Sequence, residues 1–250
     1  MSDPDLRLYV LDCGDIKMDM SAFSRDGAFA GEVGALSNPC FLIRHPKGDL
    51  IWDTGFDEAL VDQPNGIDTP GFKAKMAVRL TDQLAKLDMK VEDIEFIALS
   101  HSHPDHAGNA NLFRSSIFLT HREEHAFMFN DERRKDETQF PFFADLEQAE
   151  SIFYSTSYDV FGDGRVIIHA MPGHTPGHSV LLVRLENAGS HLLTGDLYIQ
   201  RKSRELSAVP TFNTNAEQSL MSMRDFEALA ALEKAAVIIQ HDKESLKQLP

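Results

Sequence analysis

The stretch SHSHPDHAGN, residues 100–109, places His101, His103, Asp105 and His106 within six positions. Imidazole nitrogen and carboxylate oxygen are ligands for zinc and other divalent transition metals, and a catalytic site of this type keeps one position open for water. In an extended loop alternate residues point the same way, so His101 and His103 can serve one ion while Asp105 and His106 serve a second. The plain alternative is a polar surface loop. Against it stands the density of donors, in a chain with only 11 histidines among 250 residues. Four ligands do not close two sites that also hold water, so further donors are needed. His174 and His178 in MPGHTPGHS, Asp196 in LLTGD and His241 in VIIQHD are the downstream candidates. A carboxylate such as Asp196 can bridge two cations about 3.5–4 Å apart.

These donors share a place in the pattern. Each lies just past a short apolar run, where loops held by a rigid sheet usually carry function. The runs LRLYVLDCG, FIALSHSH, SIFLTH, RVIIHAMPGH, SVLLVRLENAGSHLLTGD and AAVIIQHD read as strands, and CFLIRHPKGDLIWDTG reads as a hairpin turning at HPKGD. Helical spacing is expected over residues 69–89, 121–134 and 215–235. Strands alternating with helices suggest stacked sheets with helices outside, an α/β layered domain.

Composition narrows the partners. A net charge of −15 speaks against nucleic acid, which needs clustered Lys and Arg. No apolar run approaches the 18 or so residues of a membrane span. The opening MSDPDLRLYV shows no basic segment followed by an apolar one, so a cytoplasmic address is the default expectation, with a processed form left open. Cys13 and Cys40 make no disulfide framework and lack C-x-x-C spacing. They are expected to be buried thiols rather than ligands.

The order H-x-H-x-D-H, then a His in PGHTPGH, then an Asp, then a late His resembles the metallo-β-lactamase superfamily. The resemblance spans residues 50–241 and includes the D-T-G turn at Asp53–Gly55. It implies a four-layer αβ/βα sandwich with two zinc ions at one edge, or other divalent transition metals in their place. By this likeness His101, His103 and His174 hold the first ion, Asp105, His106 and His241 hold the second, and Asp196 bridges them. Asp53 would orient a ligating histidine, and His178 would support the ligand loop rather than ligate. His45, His121, His125, His169 and His191 have no place in the pattern and are expected at the surface or in packing.

Within the superfamily, the best resemblance is to the N-acyl-homoserine lactonases. The spacings resemble theirs: 68 residues from His106 to His174, 22 to Asp196 and 45 to His241. Nuclease branches carry an added nucleic-acid domain and flavodiiron branches a flavin domain. Glyoxalase II needs a basic C-terminal helical region, whereas this sequence ends nine residues after His241. The resemblance implies lactone-ring opening by hydroxide shared between the metals, with Asp105 relaying a proton. Hydrolysis of another lactone, ester or thioester is the alternative. Many of these lactonases have a Tyr three residues after the bridging Asp, able to hydrogen-bond the lactone carbonyl. Here Asp196-Leu197-Tyr198-Ile199 places the Tyr two after, so Tyr198 is a candidate catalytic residue or a structural one.

Residues 1–250 are read as one hydrolase domain. The N-terminal loop 14–39 is expected to give Met18, Met20, Phe23 and Phe29 to an acyl pocket or to core packing. The Phe- and Met-rich segment 121–158 is expected to serve as pocket wall, homodimer face or core. The partner is a small-molecule lactone, with no nucleic acid and no membrane.

Overall fold

The computed structural model describes residues 6–249; the first five residues, on which the expectation of no leader partly rests, lie outside them. Eight strands form the first sheet: β1 (Arg7–Asp19), β2 (Val33–His45), β3 (Gly48–Trp52), β4 (Ile67–Thr69), β5 (Phe72–Lys75), β6 (Phe96–Ala98), β7 (Ile117–His121) and β8 (Ser151–Tyr154). Their order is β4-β5-β1-β2-β3-β6-β7-β8, antiparallel as far as β3 and parallel beyond it. Five strands form the second: β9 (Ser157–Asp159), β10 (Val166–Ala170), β11 (Ser179–Leu185), β12 (Gly189–Leu193) and β13 (Ala236–Ile238), in the order β13-β12-β11-β10-β9 with β12 and β13 parallel. The helices are α1 (Leu80–Ala85), α2 (Pro104–Ala107), α3 (Arg122–Met128), α4 (Arg201–Leu206), α5 (Ala216–Glu233) and α6 (Lys243–Leu246).

The central strands β2, β3, β6 and β11 are apolar on both faces because the middle of each sheet is covered on both sides. Phe41, Ile43, Leu50 and Trp52 meet Ile168, Leu181, Val183 and Leu193 between the sheets. The alternate residues Leu42 and Ile51 turn outward to Leu80, Leu84 and Phe113. On the far side Val180, Leu182 and Leu192 pack on Met223 and Phe226 of α5. Three apolar seams thus hold four layers, an αβ/βα sandwich.

Several elements differ from the sequence expectation. Only Leu80–Ala85 of residues 69–89 is helical. Upstream, Gly71 turns at φ +79° and Phe72–Lys75 pairs with the free edge of β1, which offers a ladder that outweighs local helical spacing. Half of the expected loop 14–39 is strand. Gly14 (φ +134°) sits in a bulge between Asp12 and Asp15, which lets β1 run on to Asp19 and leaves 20–32 as the connection. Helix α3 stops at Met128, and Asn130 Oδ1 accepts from the Glu132 and Arg133 amides, so that only a short 3-10 turn at Arg133–Lys135 follows. By contrast the hairpin turns at His45↔Gly48 as read, and α5 fills nearly all of the expected 215–235, starting after an Asn215 side-chain cap.

Cys13 and Cys40 are buried but are not thiols. Pairing of β1 with β2 sets Leu11 opposite Cys40, and the bulge beyond it brings Cys13 within a Cα separation of 5.9 Å, where the two form a disulfide. Disulfides persist chiefly in oxidising compartments, which sets this bond against the cytoplasmic expectation. Among the described residues no helix is long and apolar enough to cross a membrane.

Candidate metal centre

The donor residues all leave strands at one edge of the sandwich. Asp53 follows β3, His101 to His106 follow β6, His174 lies between β10 and β11, Asp196 follows β12, and His241 follows β13. Pro104 opens α2 at its first turn, where its fixed φ and missing N–H cost nothing, and the turn swings Asp105 and His106 inward.

Two groups of donors result. His101 Nε2, His103 Nδ1 and His174 Nε2 lie 2.9, 3.1 and 3.2 Å from one another. Asp196 Oδ2 joins them at 3.3 Å from His174. In the second group His106 Nε2 and His241 Nε2 stand 3.3 Å apart, each 3.7 Å from Asp105 Oδ2. Asp196 Oδ1 faces this pair at 3.2 and 2.9 Å. One carboxylate oxygen therefore serves each group. The spacing suits cations: nitrogens about 2.0–2.1 Å from a tetrahedral zinc stand about 3.3 Å apart. Asp196 Oδ1 is buried and faces imidazole nitrogens of the cluster rather than a hydroxyl or backbone donor, a setting that suits a bridging carboxylate. These residues fit a dinuclear metal site.

Outer contacts fix which nitrogen each ring presents. His106 Nδ1 donates to Asp53 Oδ2 at 2.9 Å, His241 Nδ1 to the Ser37 carbonyl at 2.7 Å, and His174 Nδ1 to Asn213 Oδ1 at 2.9 Å. Asp53 adopts φ +58°, uncommon for any residue but Gly. Its carboxylate also accepts from the Ser100 amide and hydroxyl and from Gln240. His178 does not point into the cluster: its Nε2 accepts from the Asp196 amide at 2.9 Å and its Nδ1 donates to the Met171 carbonyl. Ser37, within β2, and Asn213 and Gln240, in loops, give no sign in the sequence, since an isolated polar residue carries no spacing signal.

Charge is divided between the groups. Burial, then His106 and His103, hold the His101 imidazole well below the ordinary histidine range, and burial with His174 pushes His103 down to about 3. At His106 and His241 burial again opposes charge, but the nearby carboxylates, Asp196 foremost, outweigh it and raise both. Burial likewise works against ionised Asp196, yet His241, His106 and His101 keep its carboxyl well below the usual range.

The cluster forms the floor of a cavity of about 270 Å³ walled by Ile16, Met18, Phe23, Phe56, Ile199 and Phe212. A second hollow of about 540 Å³ adjoins it, sharing Phe56, Phe72 and Pro104 and bordered also by Thr138, Gln139 and Phe142, and the two together make an apolar trough beside the cluster. Of the four apolar residues expected from the N-terminal loop, Met18 and Phe23 line the cavity while Met20 and Phe29 are wholly buried in the core. Segment 121–158 divides likewise: Phe142 faces the trough, and Phe129 and Phe143 are core.

Tyr198 is not brought to the cluster. Its ring packs on Phe226 and its hydroxyl donates to Glu227 at 3.0 Å, beside a surface hollow that contains none of the clustered donors. The strand-like backbone at Tyr198 turns successive side chains to opposite sides, so the neighbour Ile199 faces the cavity instead. None of His45, His121, His125, His169 and His191 enters the cluster; His45, for example, stacks on Phe161 and binds Asp163.

The ligand loop is braced at close quarters. The Gly108 amide donates to the Gly55 carbonyl at 2.7 Å, and a Cβ at Gly108 would lie 2.3 Å from the Asp57 nitrogen and 2.5 Å from Gly55 oxygen. Backbone cannot yield as a side-chain tip can. Gly108→Ala is expected to cost about 3 kcal/mol of stability, read as a fall in the urea midpoint at constant slope.

The fold and this donor set define the class: the chain belongs to the metallo-beta-lactamase superfamily, whose family model matches residues 33–241. Among curated relatives, it is similar to the N-acyl homoserine lactonase AttM of Azorhizobium caulinodans, 28% identical with 98% of each chain covered. It is also similar to an N-acyl homoserine lactonase of Bacillus cereus, 27% identical over 96% of this chain and 95% of that one. Among solved structures, a quorum-quenching N-acyl homoserine lactone hydrolase superposes with a TM-score of 0.81 at 25% identity, covering 99% and 97% of the two chains. An N-acyl homoserine lactone hydrolase with N-hexanoyl-L-homoserine at its catalytic metal centre shares the fold with a TM-score of 0.82 at 24% identity, covering 97% and 96%.

Proposed function

We propose that this chain is a metal-dependent hydrolase that opens the ring of N-acyl-homoserine lactones. The observation that carries the reading is the Asp196 carboxylate, one oxygen toward each histidine group, at the floor of an apolar trough. Lactonase relatives along nearly the full chain support it. His101, His103 and His174 would hold one divalent cation, Asp105, His106 and His241 the other, with Asp196 shared. When bound, two such cations, zinc by the chemistry of the donors, supply hydroxide from water near neutral pH and polarise the ring carbonyl.

The chain's own residues do the rest. Asp53, Ser37 and Asn213 keep the ring nitrogens turned inward. Asp105 borders the cavity beside His106 and His241, so it can take the proton of the attacking water and return it to the ring oxygen as the C–O bond breaks. The product is the ring-opened hydroxy acid. The apolar trough receives the acyl chain, each buried methylene contributing about 0.8 kcal/mol. Ile199 adds apolar surface where many lactonases carry a tyrosine, so oxyanion stabilisation does not draw on Tyr198.

The reading is tested by comparing kcat/KM across acyl-homoserine lactones, simple lactones and thioesters with the zinc-loaded protein. Acyl-homoserine lactones are expected to lead and to improve with chain length; thioesters in the lead would move the chain to another branch of the superfamily. The lip of the trough makes a second expectation. Phe23 and Phe212 meet edge to face at 5.1 Å, and Phe212 lies 5.8 Å from the His174 ring. Phe212→Ala is expected to raise KM for long-chain substrates about tenfold with kcat little changed, the signature of lost uniform binding.

A further inference from the structure

Glu124 has no role in the scheme above, yet its environment is unusual. It lies in the first turn of α3, 2% exposed, and among the described residues it forms no ion pair. A carboxylate out of water is costly unless its oxygens are saturated with donors. Here Oε1 accepts from the Ser102 amide at 2.9 Å and the Ser102 hydroxyl at 2.8 Å. Oε2 accepts from the Thr175 hydroxyl at 2.6 Å and the Gly177 amide at 3.0 Å.

Those four donors belong to two separate loops. Ser102 sits between His101 and His103, and Thr175 follows His174. Each oxygen therefore holds one of the two loops that must converge on a single cation. The second donor group has other supports, Asp53 for His106 and Ser37 for His241, and neither touches Glu124. Residue types around the carboxylate fit this task. A Cβ at Gly177 would stand 2.4 Å from the Glu124 nitrogen, so Gly there lets the second loop close on α3. His121 Nδ1 accepts the Glu123 amide and caps the same turn.

We infer that Glu124 is a positioning residue for one of the two metal ions: by clamping the His101–His103 loop to the His174 loop it sets the three-histidine site and leaves the Asp105–His106–His241 site alone. Glutamine cannot replace it. An amide offers one acceptor and one donor, while both sides of the carboxylate face a backbone N–H. Either orientation leaves one amide without an acceptor, although the hydroxyls can turn.

The inference rests on the two-metal reading but not on the substrate, so the test reads metal. Metal-free wild type and Glu124→Gln are titrated with cobalt or zinc, and bound equivalents are measured by elemental analysis, with the cobalt absorption spectrum recorded at each step. Wild type is expected to take up two equivalents. The variant should keep one at wild-type affinity and bind the other about 10–100-fold more weakly, the usual cost of losing an outer partner. Combining Glu124→Gln with His174→Ala should add nothing to the loss from His174→Ala, whereas combining it with His241→Ala should weaken both sites. Should Glu124→Gln not fold, Ser102→Ala and Thr175→Val each remove one hydroxyl donor and should weaken the same single site. A folded variant with both affinities unchanged, or with both lowered equally, overturns the assignment. A wild type that binds no second equivalent overturns the two-metal reading itself, and the inference with it.

Discussion

Asp196→Ala is expected to strip both cations and to lower lactone turnover by about 10,000-fold, about 5 kcal/mol of barrier. Among the described residues no other donor is shared: Oδ2 lies 3.3 Å from His174 Nε2, and Oδ1 lies 2.9 Å from His241 Nε2. Its removal opens a ligand position in each group at once. It also leaves His106 and His241 without the carboxylate that does most to offset their burial. The check pairs elemental analysis with turnover at saturating lactone. Loss of rate with both metals retained would mean that Asp196 acts on the substrate rather than on the cations.

His106→Ala is expected to lose the second cation alone and about 1,000-fold in turnover, about 4 kcal/mol. His106 is joined to His241 on one side and to Asp53 on the other, and Asp53 is buried with its remaining donors at Ser100 and Gln240. The variant therefore also removes a donor from a buried carboxylate. A control separates the two effects. Asp53→Asn keeps the His106 ring but changes its partner, so it should retain part of the second-site affinity that His106→Ala loses outright. Equal losses would place the whole effect in folding, and thermal unfolding of the metal-free proteins would show it.

How far these features were readable depended on which interaction governed each. Ligand spacing was legible because donors sat immediately after apolar runs, and the end of a strand sets the direction in which the next few residues leave the sheet. Spacing alone paired His101 with His103 and Asp105 with His106; the places of His174 and His241 came from the family resemblance, and the fold brings His174 beside the first pair and His241 beside the second. Tyr198 was ambiguous by one position, and in an extended segment one position is the difference between facing the cavity and facing α5. Glu124 gave no sign, because an acidic residue in the first turn of a helix is expected on dipole grounds and looks ordinary. The Thr175 and Gly177 of PGHTPGH were its only trace. Residues 69–89 misled for a different reason: helical spacing is local, and the edge of β1 that captured Phe72–Lys75 is distant in sequence. The disulfide was hidden in the same way, since a bulge in β1 had to form before Cys13 could reach Cys40.

The central claim, that two cations held by these residues drive lactone opening, meets its most direct test in reconstitution. Metal-free protein is supplied with zinc in steps, and acid release from an N-acyl-homoserine lactone is recorded in a pH-stat alongside the number of ions bound. Activity should stay low through the first equivalent, rise with the second, and vanish again on chelation. Two ions bound with no acid released from short- or long-chain substrates would contradict the account.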